Sequence, residues 1–301
     1  MEKPVISVII TAYNRRRFLK QAVKSVLTQT VDKSLYEIIV VKNFRDPDID
    51  NINGITNIML GDEPVGTYLA EGIKHARGEI ISFLDDEDLY RANKLEYVLK
   101  VFSTSEDIVY FHHNMVFIDD ANKILGFGHG PFKDIELKYN NIISRVKCEI
   151  ILQIGAVMSA ISVRSRIFDK NVLKALSRLY AFIDYFVFLI ALKSKGTIVH
   201  RNVYLSFYRL HGEQISKPKG RDPVSTLIKF ARSAFYHYSS YEYLRELFNE
   251  ASPYCFLGSF YYILPGLCIS LRDRKTLARV TWYTILKAIH DGSWARTLAL
   301  F

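Results

Sequence analysis

The chain has 301 residues, 49% of them hydrophobic and 24% charged, with a formal net charge of +9; this excludes a disordered or fibrous chain and leaves room for one large domain or two smaller ones. The positive balance asks for an anionic partner, such as a nucleotide phosphate, nucleic acid or a membrane surface. Three scattered cysteines, Cys148, Cys255 and Cys268, exclude a disulfide framework and a cysteine metal site and fit a reducing compartment, and Met1-Glu2-Lys3-Pro4 runs straight into a strand with no leader pattern.

The run Val5 to Ile10 is short and β-branched and predicts a buried strand that stops at Thr11-Ala12-Tyr13-Asn14. A helix is expected over 16–27, with Phe18, Leu19, Ala22, Val23, Val26 and Leu27 on one face. Tyr36 to Val41 is the next strand, ending at Lys42-Asn43, so the opening is a βαβ unit of a parallel sheet. A short strand over 55–60 and a helix from Gly66 to Ala76 follow, the helix closed by Gly78. Glu79 to Leu84 reads as a further buried strand, and it ends in four acids, Asp85, Asp86, Glu87 and Asp88. Three strand ends (Thr11, Asn43, Asp85) therefore meet at one sheet edge, where such folds bind ligands. Four adjacent carboxylates are costly unless a cation neutralises them, and their hard oxygens suit Mg²⁺ or Mn²⁺ with substrate phosphates. The plain alternative is a solvated acidic turn.

Further along, Ile108 to Phe111 and Ile124 to Gly126 read as a strand pair joined at Asp119-Asp120-Ala121-Asn122. These are ordinary turn formers, which weighs against a second metal motif there. His112 and His113 interrupt an apolar stretch, either as packed, hydrogen-bonded histidines or as lining of an acceptor cleft. Residues 127–150 carry little pattern and are expected to form a loop over the site. Asp184 stands in the apolar run Phe182 to Leu192, where an acid must be paired or functional. Burial would raise its pKa toward the range of a general base, the alternative being a helix N-cap. A strand over 196–205 leads to Tyr208-Arg209-Leu210-His211.

Several of these segments, in this order, resemble the family 2 glycosyltransferases. They are Ser7-Val8-Ile9-Ile10-Thr11-Ala12-Tyr13-Asn14-Arg15; Gly72-Ile73 followed by Arg77-Gly78 and the acidic strand; Asn93-Lys94-Leu95-Glu96; and the Tyr208-Arg209-Leu210-His211 segment. The resemblance covers roughly residues 4–216. It implies an α/β GT-A fold, a Rossmann-like mixed, mostly parallel sheet flanked by helices, which binds a nucleotide-diphosphate sugar. The catalytic domain would be 1–216, its nucleotide-sugar half about 1–105 and its acceptor half about 106–216. By the same resemblance Asp184 is the general base of an inverting transfer to an acceptor hydroxyl, on a glycan or lipid-linked acceptor. Thr11, Ala12, Tyr13, Asn43, Asp85, Asp86 and Arg209 would bind the donor, and Asp86, Glu87, Asp88 and His211 a divalent cation. The small residues within Gly155–Val163 would line the acceptor side; read alone, they are a plain edge strand.

The chain departs from the family pattern at Asn43 (usually Asp), at Leu69-Ala70 (often Arg-Asn) and at Glu87 (usually Asp). These departures keep open a relative that binds nucleotide sugar without turnover. A nucleotidyltransferase of similar fold is the other enzyme reading, though Thr11-Ala12-Tyr13-Asn14 lacks the glycines of its phosphate loop. Nucleic-acid binding finds no recognised module and no basic helix. Residues 217–301 read as a helical C-terminal region. Within it 253–271 is 19 uncharged residues, followed by Arg272, Arg274, Lys275 and Arg279. The expectation is two short helices, packed as core or lying on a membrane surface through 253–279, more than a span. A cytoplasmic location, on the membrane's inner face, follows from that reading.

Overall fold

The computed structural model describes residues 3–128, 130–138, 154–180 and 183–210, all within the unit Met1–His211. The expectations for 139–153, for His211 and for 217–301 lie outside the described residues.

The opening is the βαβ unit that the hydrophobic pattern predicts. Strand β1 (Ile6–Ala12) leads to α1 (Leu19–Leu27) and β2 (Tyr36–Lys42), then a short α2 (Pro47–Asp50) and β3 (Ile55–Met59). Helix α3 (Val65–His75) follows, then β4 (Ile80–Asp85), the two-residue β5 (Leu89–Tyr90), α4 (Lys94–Ser103) and β6 (Ile108–Ile118). The second half holds β7 (Ile124–Gly128), β8 (Ile135–Lys138), β9 (Ile161–Arg164), α5 (Lys170–Leu176), α6 (Ile183–Lys193) and β10 (Thr197–Arg209). Among the described residues one sheet contains these ten strands, in the order β3-β2-β1-β4-β9-β6-β10-β5, with β7 beside β6 and β8 beside β10. β3, β2, β1, β4, β6 and β10 run one way; β9, β5, β7 and β8 oppose them. The fold is therefore mixed α/β with most strands parallel, as expected.

The alternation along β1 sets its two faces. Val8 and Ile10 join Leu19, Val23 and Val26 of α1 and Leu95 and Val98 of α4 in the main core. On the other face Ile39 and Val41 of β2 pack on Tyr68 of α3. α3 lies close to its neighbours because two positions lack a side chain. A β-carbon at Gly66 would sit 1.9 Å from the Leu176 carbonyl oxygen, and one at Gly72 would sit 2.6 Å from Ile9 Cγ2.

Four expectations change. Within the loop expected over 127–150, Ile135–Lys138 is strand β8, paired antiparallel with β10. The helix ends at His75, and Gly78 is needed for close approach, since a β-carbon there would lie 2.6 Å from the Ser7 nitrogen. The strand expected over 108–111 runs on to Ile118, so His112 and His113 sit within a central strand, fully buried. β9 is no edge strand: it is inserted between β4 and β6, with Ser162 Oγ 2.9 Å from Ser82 Oγ.

Candidate active site

β1, β2 and β4 share register at their carboxyl ends, Thr11 lying beside Val41 on one side and Asp85 on the other. The expected convergence of Thr11, Asn43 and Asp85 at one sheet edge is thus present. Above it opens a cavity of about 260 Å³, lined by Ile9, Thr11, Val65, Leu69, Phe83, Leu84, Asp85, Val157, Met158, Ile183, Asp184 and Tyr208. Residues distant in sequence thus meet in space, Asp85 and Asp184 lining one cavity from 99 positions apart.

The acidic turn is held from several sides. The guanidinium of Arg15, just beyond β1, pairs with Asp86 at 2.5 Å and with Glu87 at 2.6 Å. Asp88 is fully buried; its Oδ1 accepts the Arg209 main-chain N–H at 2.9 Å, while its Oδ2 has no hydrogen-bond partner. The Asp85 N–H donates to Ser159 Oγ at 3.0 Å. Burial, then the charge of Glu87, push the Asp85 carboxyl up to about 7, with Arg15 opposing and Asp184 adding. Asp86 also rises to about 7 through burial, against the opposing charge of Arg15. Beneath the turn Lys94 is buried, donating to Ser159 O at 2.7 Å with its ammonium 3.7 Å from the centre of the Tyr90 ring. Burial drives its pKa well down, against the pull of Asp88. Among the described residues no three His, Cys, Asp or Glu groups converge to hold a metal ion; in this arrangement Asp86 and Glu87 are turned onto Arg15.

The other expected donor residues fall in distinct places. Thr11 lines the cavity, whereas the Ala12 side chain belongs to the core under α1, leaving only its main chain toward the edge. Tyr13 is partly exposed, packed edge-on to Tyr68 with centroids 5.8 Å apart and its hydroxyl on Asp62. Asn43 and Asn14 bond reciprocally, at 2.9 Å and 2.8 Å, and Asn14 takes a left-handed φ of 55°. This fixes the loop after β1 and points Arg15 across the strand ends. Arg209 is fully buried; its guanidinium donates to the carbonyls of Glu87, Asp119 and Asp120 and to Gln21, lying over Phe18. In this structure it clamps the acidic turn to the β6–β7 connection, a role its sequence position did not suggest. Asp119 makes the turn expected of it, accepting from the Ala121 and Lys123 N–H groups.

Asp184 stands in the first turn of α6. Its Oδ2 accepts the Val157 N–H at 2.9 Å and its Oδ1 the Tyr185 N–H at 2.9 Å. Burial raises its pKa, and these two main-chain donors oppose the rise. Val157 is β-branched yet has φ 66° and ψ 101°, a costly backbone state that persists only where the surroundings impose it. Two groups were missed in the sequence, Arg15 and Val157. The first could have been found as the nearest cation to an acidic turn on a neighbouring strand end; the second leaves no sequence signal.

The sequence profile of the family described as Glycosyl transferase family 2 matches residues 7–159. An uncharacterized glycosyltransferase of Nostoc sp. is 33% identical over 132 residues, covering 40% of this chain and 39% of that protein. The putative glycosyltransferase EpsH of Bacillus subtilis is 28% identical over 127 residues, covering 40% and 36% respectively. The alignments thus span about two fifths of these relatives. Among solved structures, S. aureus TarS 1-349 in complex with UDP-GlcNAc superposes with a TM-score of 0.54 at 16% identity, over 82% of this chain and 73% of that one. That likeness carries the GT-A fold.

Proposed function

The chain belongs to glycosyl transferase family 2, and from that premise we propose that it moves a sugar from a nucleoside-diphosphate donor to an acceptor hydroxyl with inversion. The observation that carries this reading is that Thr11, Asp85 and Asp184 line one shared cavity. The nucleotide would lie along the ends of β1, β2 and β4, with the loop after β1 and Asn43 toward the base and ribose. TarS was crystallised with UDP-GlcNAc, and a uridine nucleotide is the first donor to test here.

Asp184 would take the acceptor proton as that oxygen attacks the anomeric carbon. A carboxylate held by two main-chain N–H groups keeps a fixed orientation, and burial gives it basicity above that of a solvated carboxylate. The apolar walls, Val65, Leu69, Val157, Met158 and Ile183, would keep water from competing with the acceptor.

The chemistry of the acidic turn, though not its present arrangement on Arg15, suits a hard divalent cation: all its ligating atoms are carboxylate oxygens, and Asp88 Oδ2 is buried without a partner. Asp86, Glu87 and Asp88 would hold Mg²⁺ or Mn²⁺, with His211 outside the described residues. When bound, the ion would neutralise charge on the departing diphosphate. Arg15, already on Asp86 and Glu87, would share that task or yield its carboxylates to the ion.

The acceptor is read as a glycan or lipid-linked hydroxyl, with 253–279 as the membrane-facing segment on the cytoplasmic side. No helix among the described residues is long and apolar enough to cross a membrane. Incubation with UDP-sugars and Mn²⁺, with UDP release as the readout, tests the reaction. UDP release that stops in Asp184→Asn supports it, and no donor binding with any nucleoside diphosphate overturns it.

A further inference from the structure

Behind Asp184 lies a histidine pair that the proposed reaction does not use. His112 on β6 and His200 on β10 are register partners, both fully buried, with Nδ1 atoms 2.9 Å apart. Their outer nitrogens each meet a main-chain carbonyl, His112 Nε2 at 3.2 Å from Ala156 O and His200 Nε2 at 2.9 Å from Pro131 O. A carbonyl oxygen only accepts, so each ring presents an N–H at Nε2. Two bare Nδ1 atoms could not stay in contact; the pair must share one proton between them. Burial lowers the His200 pKa, with the Pro131 carbonyl and Asp134 opposing, and the His112 Nε2–H is the donor that meets Ala156 O. Among the described residues, charged and titratable groups around the pair include His113 on β6, Arg201 on β10 with its partners Asp134 and Glu136, and Lys94 of α4.

The carbonyl that His112 reaches and the N–H that Asp184 accepts belong to one peptide group. Ala156 supplies the oxygen and Val157 the nitrogen. Donation into a carbonyl polarises its amide and strengthens the N–H at the other end. The same peptide enters the left-handed Val157, whose unfavourable backbone needs anchoring; His112 and Asp184 hold the two ends of that peptide, and the Ala160 N–H holds the Val157 carbonyl beyond it.

We propose that His112 is a positioning residue for Asp184, acting through the Ala156–Val157 peptide group, with His200 fixing its ring and supplying the shared proton. This rests on Asp184 as the base of the proposed transfer. Its structural half, the coupling of the histidine pair to the Asp184 hydrogen bond, stands on geometry alone.

Two variants, His112→Phe and His112→Gln, test it, each read in two ways. In ¹⁵N-labelled protein the Val157 amide proton should move upfield in His112→Phe and return toward the wild-type position in His112→Gln, whose carboxamide can still donate. In turnover, His112→Phe should lower kcat by about 10- to 100-fold, the usual range for a residue orienting a functional ligand, with UDP affinity within about twofold and the acid limb of the kcat–pH profile moved upward. A Val157 amide unmoved in His112→Phe overturns the coupling. A moved amide with wild-type kcat and pH profile overturns the positioning role. If no sugar is transferred by the wild type, the proposed reaction fails while the amide shift still decides the coupling. Should His112→Phe not fold, His200→Phe, which removes the shared proton and leaves His112 in place, takes its place with the same expected and contrary results.

Discussion

Arg15 grips Asp86 with two hydrogen bonds, Nη2 to Oδ1 at 2.5 Å and Nε to Oδ2 at 3.2 Å, and reaches Glu87 with its remaining arm at 2.6 Å. A cation from the chain thus sits where the acidic turn would receive a metal. Opposite charges at such distances favour both ionised forms, but only one cation can hold the same oxygens at once.

That arrangement makes Arg15 and a divalent ion competitors. Arg15→Gln should lower stability in the presence of EDTA by about 2 kcal/mol, less than the loss of a fully buried partner because the Arg15 side chain is 29% exposed. Mn²⁺ should then raise the melting temperature of the variant more than that of the wild type. Equal stabilisation of the two proteins by Mn²⁺ would show that the guanidinium and the ion do not contend for the turn.

Asp184→Asn keeps the side-chain size and one oxygen for the Val157 N–H while removing the base. Donor binding by calorimetry should survive, and kcat should fall by about 10² to 10⁴. The wild-type profile carries a sign of its own. A general base works when ionised, and burial raises the Asp184 pKa, so activity should rise with pH through a midpoint above the ordinary carboxylate value of about 4. An acid limb centred at or below that value would mean that another group is the base.

The parts of this fold that obey one local period were legible in the sequence. β1, α1, β2 and the acid-tipped β4 each announce themselves by alternation or helical spacing, and parallel pairing then forces Thr11 and Asp85 side by side. Asp184 was legible because an acid in an apolar run is a contradiction that structure must resolve. Arg15 was not, since nothing local separates it from Arg16 and Arg17; its role follows from the left-handed Asn14 and the Asn14–Asn43 bond. Nor were the extent of β6 and the place of β9, because His112, His113 and Ser162 look polar in sequence; His112 and Ser162 become core by bonding partners on neighbouring strands, and His113 by bonding the Asn114 carbonyl beside it. Arg209 reads as a phosphate ligand by type, and only the tertiary fold brings three carbonyls to it.

The two glycines of α3 should respond differently to a methyl group. At Gly66 the added carbon would meet main chain, the Leu176 and Leu179 carbonyl oxygens, which cannot move without shifting α5. At Gly72 it would meet the methyl groups of Ile9 and Val41, which can re-orient. Gly66→Ala should therefore cost about 3 kcal/mol and Gly72→Ala about 1 kcal/mol, the two ends of the overpacking range. Since Val65 and Leu69 line the cavity, Gly66→Ala should also weaken UDP binding. Denaturant melts and calorimetry check both, and equal costs would mean that α3 rides freely on the sheet.

His113 offers a test of the buried polar layer by pH. It is fully buried, its Nδ1–H donates to Asn114 O at 2.8 Å, and its Nε2 has no partner. Burial, with Lys94 adding, drives its pKa well below the ordinary imidazole value. A folded-state pKa below the unfolded one means that the unfolded chain binds the extra proton first. Stability from this residue is then complete above about pH 6.5 and is lost as pH falls below it, with a slope of up to about 1.4 kcal/mol per pH unit. The raised carboxyls of Asp85 and Asp86 act the opposite way, the folded state holding protons that the unfolded chain has released, so they gain stability as pH falls toward their unfolded value. The wild-type profile is thus a sum of opposing slopes, and the difference between proteins isolates the histidine. His113→Phe, which keeps a ring near Phe111 and removes the titration, should be less sensitive to acid than the wild type between pH 6.5 and 5. Parallel stability–pH curves for the two proteins over that interval would show that His113 takes up its proton inside the fold as readily as outside it.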